Sequence, residues 1–153
     1  MTDGTASDPL WVWGEDADGP RLLHSMLRVR DVDATLRFYC DGLGMTLLDR
    51  HDFEAGRFSI LFLSYAGYRD GQAAIEVTYN WDQDSAYTHG SGYGHIAIGV
   101  PDVPAMWTRL ADFGGRQGAP PKQMMPGAPQ LAFAYDPDGY AIELIQINRA
   151  SAA

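Results

Sequence analysis

The chain has 153 residues, enough for one compact domain or two small halves around a shared core. Its 11 Lys+Arg against 20 Asp+Glu give a formal net charge of −9, a balance that repels nucleic acid and anionic lipid. No apolar run is long enough for a transmembrane helix, and the start has neither a basic region nor the apolar stretch of a secretory signal, so no membrane or nucleic-acid partner is expected. Cys40 is the lone cysteine. No internal disulfide can form, and a reducing cytoplasm is the expected setting. Cys40 itself reads as a small packed residue on a helix rather than a nucleophile.

Residues 1–20 are rich in Asp and Gly without apolar periodicity, and read as a mobile extension. "WVW" at 11–13 is its one apolar cluster, suited to packing on the body or on a partner subunit. From residue 21 the pattern tightens. "RLLHSMLRV" alternates as a strand does. "DVDATLRFYCDGLG" predicts a helix, with Asp31 or Asp33 to cap its start and Gly42 or Gly44 to end it. "MTLLDRHDF", "RFSILFLSY" and "AAIEVTYNW" predict three strands separated by Gly- and Asp-containing turns. Residues 82–91 form a polar linker. "GHIAIGVPDV" then predicts a strand, and "DVPAMWTRLADFGG" a helix ending at Gly114–Gly115. "RQGAPPKQ" carries a weak strand signal because of its prolines. "QLAFAYD" and "YAIELIQIN" predict two strands joined by a "DPDG" turn.

Both halves therefore run strand, helix, strand, strand, strand. The prediction is an α+β fold of two tandem βαβββ modules, at 21–81 and 92–148, with 149–153 as a tail. An offset of 71 residues carries His24 to His95, Asp31 to Asp102, Val32 to Val103 and Gly44 to Gly115.

Each module places one histidine on its first strand and one glutamate inside its last: His24 and Glu76, then His95 and Glu143. A histidine in an apolar strand needs a partner, and a buried strand glutamate is paired or ligating. A single such Glu could pair with Arg28 or Arg57. Duplication of all four favours an N2O2 metal site, with ligands suited to Ni, Co, Zn or Fe(II). Four protein ligands leave two positions of an octahedral ion for water or substrate oxygens. Strand parity puts Arg28 on the face of His24 and Asn80 on the face of Glu76, with Leu23, Leu27 and Val29 turned to the core. A cation and an amide there suit an anionic, peptide-like ligand. His51 and His89 lie in polar, turn-like segments and read as surface residues. Phe58, Phe62, Tyr65, Phe133 and Tyr135 alternate along strands, most of them core and some suited to walling a substrate pocket.

With "LLHSMLRVRD", "FYCDGLGM", "IEVTYNW", "GYGHIAIGV" and "DPDGYAIELI", the sequence resembles glyoxalase I (lactoylglutathione lyase), of the vicinal oxygen chelate superfamily. The resemblance covers Leu22 to Ile145. It implies mixed sheets curved around a metal site, with His24, Glu76, His95 and Glu143 as ligands of one divalent metal. It makes Glu143 the catalytic base, with Glu76 able to serve the other face. It also implies contacts from Arg28 and Asn80 to the thiol co-substrate glutathione. Its substrate is the hemithioacetal of methylglyoxal and glutathione, its product S-D-lactoylglutathione. The short linker points to the bacterial branch activated by nickel or cobalt, with zinc a possible occupant. The family forms homodimers whose metal site is shared between subunits. Where the family carries basic residues for a glutathione carboxylate, this chain has Lys122, with Arg116 upstream, beside Met124 and Met125. The competing readings are another superfamily enzyme, such as an acyl-CoA epimerase, or a small-molecule-sequestering resistance protein. The latter lacks the four ligands.

Overall fold

The structure, a computed structural model, describes residues 19–65 and 72–147. The "WVW" segment and the 149–153 tail lie outside the described residues. The expected elements are found in the expected order. They are β1 (His24–Val29), α1 (Val32–Leu36, continuing as a π-helical turn over Arg37–Gly42), β2 (Thr46–Phe53), β3 (Phe58–Ser64), β4 (Ala74–Asn80), β5 (Ile96–Val100), α2 (Val103–Asp112), β6 (Arg116–Gln117), β7 (Lys122–Gln123), β8 (Gln130–Tyr135) and β9 (Ala141–Gln146). The proline-containing segment yields two short pieces, β6 and β7, both paired with β8. By packing, the chain forms two compact units. One joins the residues up to Val32 with Gly44–Ser85; the other joins Asp33–Leu43 with the residues from Ala86 onward.

The first unit is a four-stranded sheet in the order β1-β4-β3-β2. β1 runs parallel to β4, and the other pairs are antiparallel. Parity sorts the side chains onto two faces. Leu27, Val29, Leu61, Leu63, Ile75 and Val77 share one face and are buried. The other carries His24, Met26 and Arg28 from β1, Glu76, Thr78 and Asn80 from β4, and Phe58, Ile60 and Phe62 from β3. A smaller apolar cluster of Ile60, Phe62 and Ala74, with Leu48 and Phe58 packed against it, floors that second face. In β2 the register slips: Leu47 stands opposite Leu63 but Asp49 opposite Phe62, a β-bulge at Leu48. The turn into β3 is held by Arg57, whose guanidinium donates to both carboxylate oxygens of Asp82 at 2.6 and 2.7 Å.

The second unit repeats the plan with β5 parallel to β9 and β9 antiparallel to β8. Asp102 begins α2, its carboxylate accepting from the Ala105 N–H at 2.9 Å. At the end of β9 the Gln146 amide oxygen accepts from the Val103 N–H at 3.0 Å, and its NH2 donates to the Pro101 carbonyl. The helix stops where Gly114 takes a φ of +87°, a left-handed turn that favours glycine. α1 packs within this unit. Its wide turn closes through Leu43 N–H to the Phe38 carbonyl at 2.9 Å and lets the adjacent Phe38 and Tyr39 both be fully buried. Arg109 from α2 donates to the Gly42 and Asp41 carbonyls at 3.0 and 2.8 Å, satisfying the end of that turn. Gly115 lies so close to the Phe38 ring that a Cβ would stand 2.6 Å from it.

Candidate metal centre

His24 opens β1, and its register partner Ala74 lies two residues before Glu76 on β4. The diagonal brings His24 Nε2 to 2.7 Å from Glu76 Oε2, both groups half-buried. In the second unit Ile96 pairs with Ile142, so His95 comes level with Ala141, again two residues before a glutamate. His95 stands just ahead of β5 rather than within it, and its Nε2 lies 2.9 Å from Glu143 Oε2. The two units thus build the same His–carboxylate pair by the same parallel register. Arg57 is engaged by Asp82, and Glu76 pairs with the histidine instead.

A third residue repeats with each pair. Phe62 meets the His24 ring edge to face at 5.6 Å, and Phe133 meets His95 in the same way at 5.5 Å. Phe62 stands opposite Glu76 and Phe133 opposite Glu143. The offset of 71 residues that relates the histidines also relates these rings, so the signal was present in the sequence. The second nitrogen of each histidine is expected on a carbonyl or carboxylate. At His24 this does not hold: Nδ1 is buried without a hydrogen-bond partner. Its ring is steered by the edge contact with Phe62.

The donor set fits a divalent cation. An octahedral ion with bonds of about 2.1 Å holds neighbouring donors roughly 3.0 Å apart, against about 3.4 Å for a tetrahedral one. The pairs stand at 2.7 and 2.9 Å. Among the described residues no group of three or more His, Cys, Asp or Glu side chains gathers to hold an ion. Each unit by itself presents one imidazole and one carboxylate.

The other candidates fall on the same sheet faces. Arg28 is exposed on the face of His24, and Asn80 half-buried on the face of Glu76. Lys122 pairs with Leu131, and Leu131 with Ile145, which puts Lys122 on the face of Glu143. Tyr65 is exposed at the end of β3, whereas Phe62 is fully buried. One expectation needs correction. His51 is not in a turn but on β2, half-buried, with Nε2 2.8 Å from Asp49 Oδ2. The polar letters "DRHD" belong to a strand that runs on to Phe53, and the turn comes after it. His89 stacks flat on Tyr140 at 4.1 Å, so the aromatic contact holds it to the body.

Glu143 lies in β9, which the "DPDG" turn launches. There Asp136 is buried and accepts three hydrogen bonds: from the Asp138 and Tyr140 N–H groups at 2.9 Å, and from the Tyr39 hydroxyl at 2.7 Å. Burial outweighs those bonds and pushes the Asp136 carboxyl up to about 6. Burial, with Asp136 next to it, likewise raises the Tyr39 phenol. Burial also raises the half-buried Cys40 thiol, opposite to the shift of an activated nucleophile.

Comparison with known proteins gives the family. The model of the Glyoxalase/Bleomycin resistance protein/Dioxygenase superfamily matches residues 21–144. A probable lactoylglutathione lyase of Synechocystis sp. is 47% identical over 127 residues, covering 83% of this chain and 95% of the relative. The lactoylglutathione lyase of Haemophilus influenzae is 45% identical over 131 residues, 82% of this chain and 92% of the relative. The crystal structure of glyoxalase I from Zea mays superposes with a TM-score of 0.78 at 36% identity over 85% of this chain, which spans 46% of the maize chain. The trypanothione-dependent glyoxalase I of Leishmania major superposes with a TM-score of 0.71 at 35% identity, covering 83% of this chain and 86% of that one. The chain therefore belongs to the glyoxalase, or vicinal oxygen chelate, superfamily, alongside its lactoylglutathione lyases.

Proposed function

We propose that this chain is a glyoxalase I: it isomerises the hemithioacetal of methylglyoxal and glutathione to S-D-lactoylglutathione. The observation that carries the reading is the duplicated His–Glu pair, with donor separations of 2.7 and 2.9 Å in the two units. His24, Glu76, His95 and Glu143 hold one divalent metal, nickel or cobalt before zinc. The first-unit pair of one subunit is completed by the second-unit pair of another, so a homodimer holds two sites.

The reaction moves a proton from C1 to C2 of the adduct. The bound cation supplies stabilisation of charge on the two neighbouring substrate oxygens. Glu143 takes the C1 proton and returns it to C2. Glu76 serves the other face in the same way. His24 and His95 stay fixed against Phe62 and Phe133. Arg28 and Asn80 hold the peptide part of glutathione, and Lys122 holds a carboxylate. No helix among the described residues is long and apolar enough to cross a membrane. We place the enzyme in the cytoplasm, where the lone Cys40 thiol stays reduced.

The test is turnover of the methylglyoxal–glutathione adduct by metal-stripped protein given Ni²⁺, Co²⁺ or Zn²⁺. The stripped protein is expected to be folded and inactive, and to recover best with Ni²⁺ or Co²⁺. Full recovery with Zn²⁺ alone overturns the choice of metal, and full activity without metal overturns the reading.

A further inference from the structure

The described residues contain a third His–carboxylate pair, His51 Nε2 to Asp49 Oδ2 at 2.8 Å, which the metal reading does not use. Its position is not arbitrary. Without the bulge at Leu48, parity would turn His51 and Phe53 away from the metal-ligand face. The bulge re-aims Asp49, His51 and Phe53 onto it, opposite Phe62, Ile60 and Phe58. The repeat supports the same point. The offset of 71 residues carries His51 to Lys122, and the two occupy equivalent sheet positions. His51 pairs with Ile60 and through it with Thr78, two residues after Glu76; Lys122 pairs with Leu131 and through it with Ile145, two residues after Glu143. Each unit thus sets a nitrogen-bearing side chain at the same place relative to its glutamate.

On the first unit's sheet His51 and Arg28 end one row, Arg28–Thr78–Ile60–His51. Three strand spacings put them about 14 Å apart. With the thiol's peptide part at the Arg28 edge, the group carried by the aldehyde extends toward the His51 edge. Asp49 is nearly buried and fixes the imidazole. Beyond it Phe53 stacks on Phe58 at 4.7 Å.

Building on the proposed lyase activity, we infer that His51, positioned by Asp49, is a specificity-determining residue. With Nε2–H donating to the Asp49 carboxylate, its Nδ1 accepts a hydrogen bond from a hydroxyl on the aldehyde's substituent. It therefore favours 2-oxoaldehydes bearing a hydroxyl over those with a plain alkyl group.

The experiment compares kcat/KM for the glutathione adducts of hydroxypyruvaldehyde and methylglyoxal in nickel-loaded wild type, H51L, H51Q and D49N. In H51L the hydroxy-to-methyl ratio is expected to fall about tenfold, through KM, as for loss of one hydrogen bond. H51Q, which keeps an acceptor, retains most of the ratio, and D49N lowers it less than H51L. Bound nickel per chain stays the same. An unchanged ratio in H51L overturns the inference. So does an equal loss on both adducts, which marks a structural role. So does loss of bound nickel, which marks His51 as a ligand. A wild type inactive on both adducts overturns the lyase reading itself, and this inference with it.

Discussion

Replacing the Glu143 carboxylate by an amide preserves size and most hydrogen bonding but removes the group proposed to accept the substrate proton. Glu143→Gln is expected to lower kcat by more than about a hundredfold while leaving the circular dichroism spectrum unchanged. Unchanged turnover would remove Glu143 from the mechanism. At this scale the two His–Glu pairs were legible because an imidazole or carboxylate in an apolar strand contradicts its surroundings and so stands out. Phe62 and Phe133 read as core or pocket wall along with three other strand aromatics, and not as partners of the histidines, because an aromatic in a strand does not contradict anything; only the shared offset marks them. His51 reads as part of a turn because its neighbours are polar, and even as a strand residue its face is not legible. Strand parity is a rule about regular pairing, and one extra residue at Leu48 inverts it for everything that follows on β2.

Among the elements, the β8–β9 hairpin depends most on a single titrating group. Asp136 is buried, with Tyr39, Asp138 and Tyr93 around it, and its carboxyl sits at about 6. The unfolded chain releases that proton near pH 4, at roughly the ordinary carboxylate value. Between the two values the folded state therefore holds a proton that the unfolded state has lost. This group's contribution is complete below about pH 4 and falls away as pH rises through about 6. Urea midpoints of wild type and Asp136→Asn, measured from about pH 4 to 7, are expected to shift relative to each other in the variant's favour as pH rises. Parallel curves would mean that Asp136 titrates normally. The turn was visible as "DPDG", but its buried anchor was not, because the contact between Tyr39 and Asp136 spans 97 residues of sequence. The short β6 and β7 gave a weak signal for a plain reason: prolines remove ladder donors, and two residues carry no periodicity.

For the whole molecule, the repeated order of elements predicted two like modules; that β1–β4 and β5–β9 share a parallel register is visible only in the structure. It did not predict that Asp33–Leu43, written in the first half, packs with the second. Periodicity shows that a helix has an apolar face, not which sheet covers it. That exchange makes the halves of the sequence and the units of the structure different objects. Each unit by itself carries one His–Glu pair, fewer donors than an ion needs. The most direct test is complementation between two inactive variants, one carrying His24→Ala and Glu76→Ala, the other His95→Ala and Glu143→Ala. They are co-expressed with different tags and purified through both. A subunit-shared centre predicts that this mixed dimer, assembled with one intact site of two, regains about half the wild-type activity per dimer and binds about one metal ion. A mixed dimer as inactive and metal-free as either parent would contradict the account.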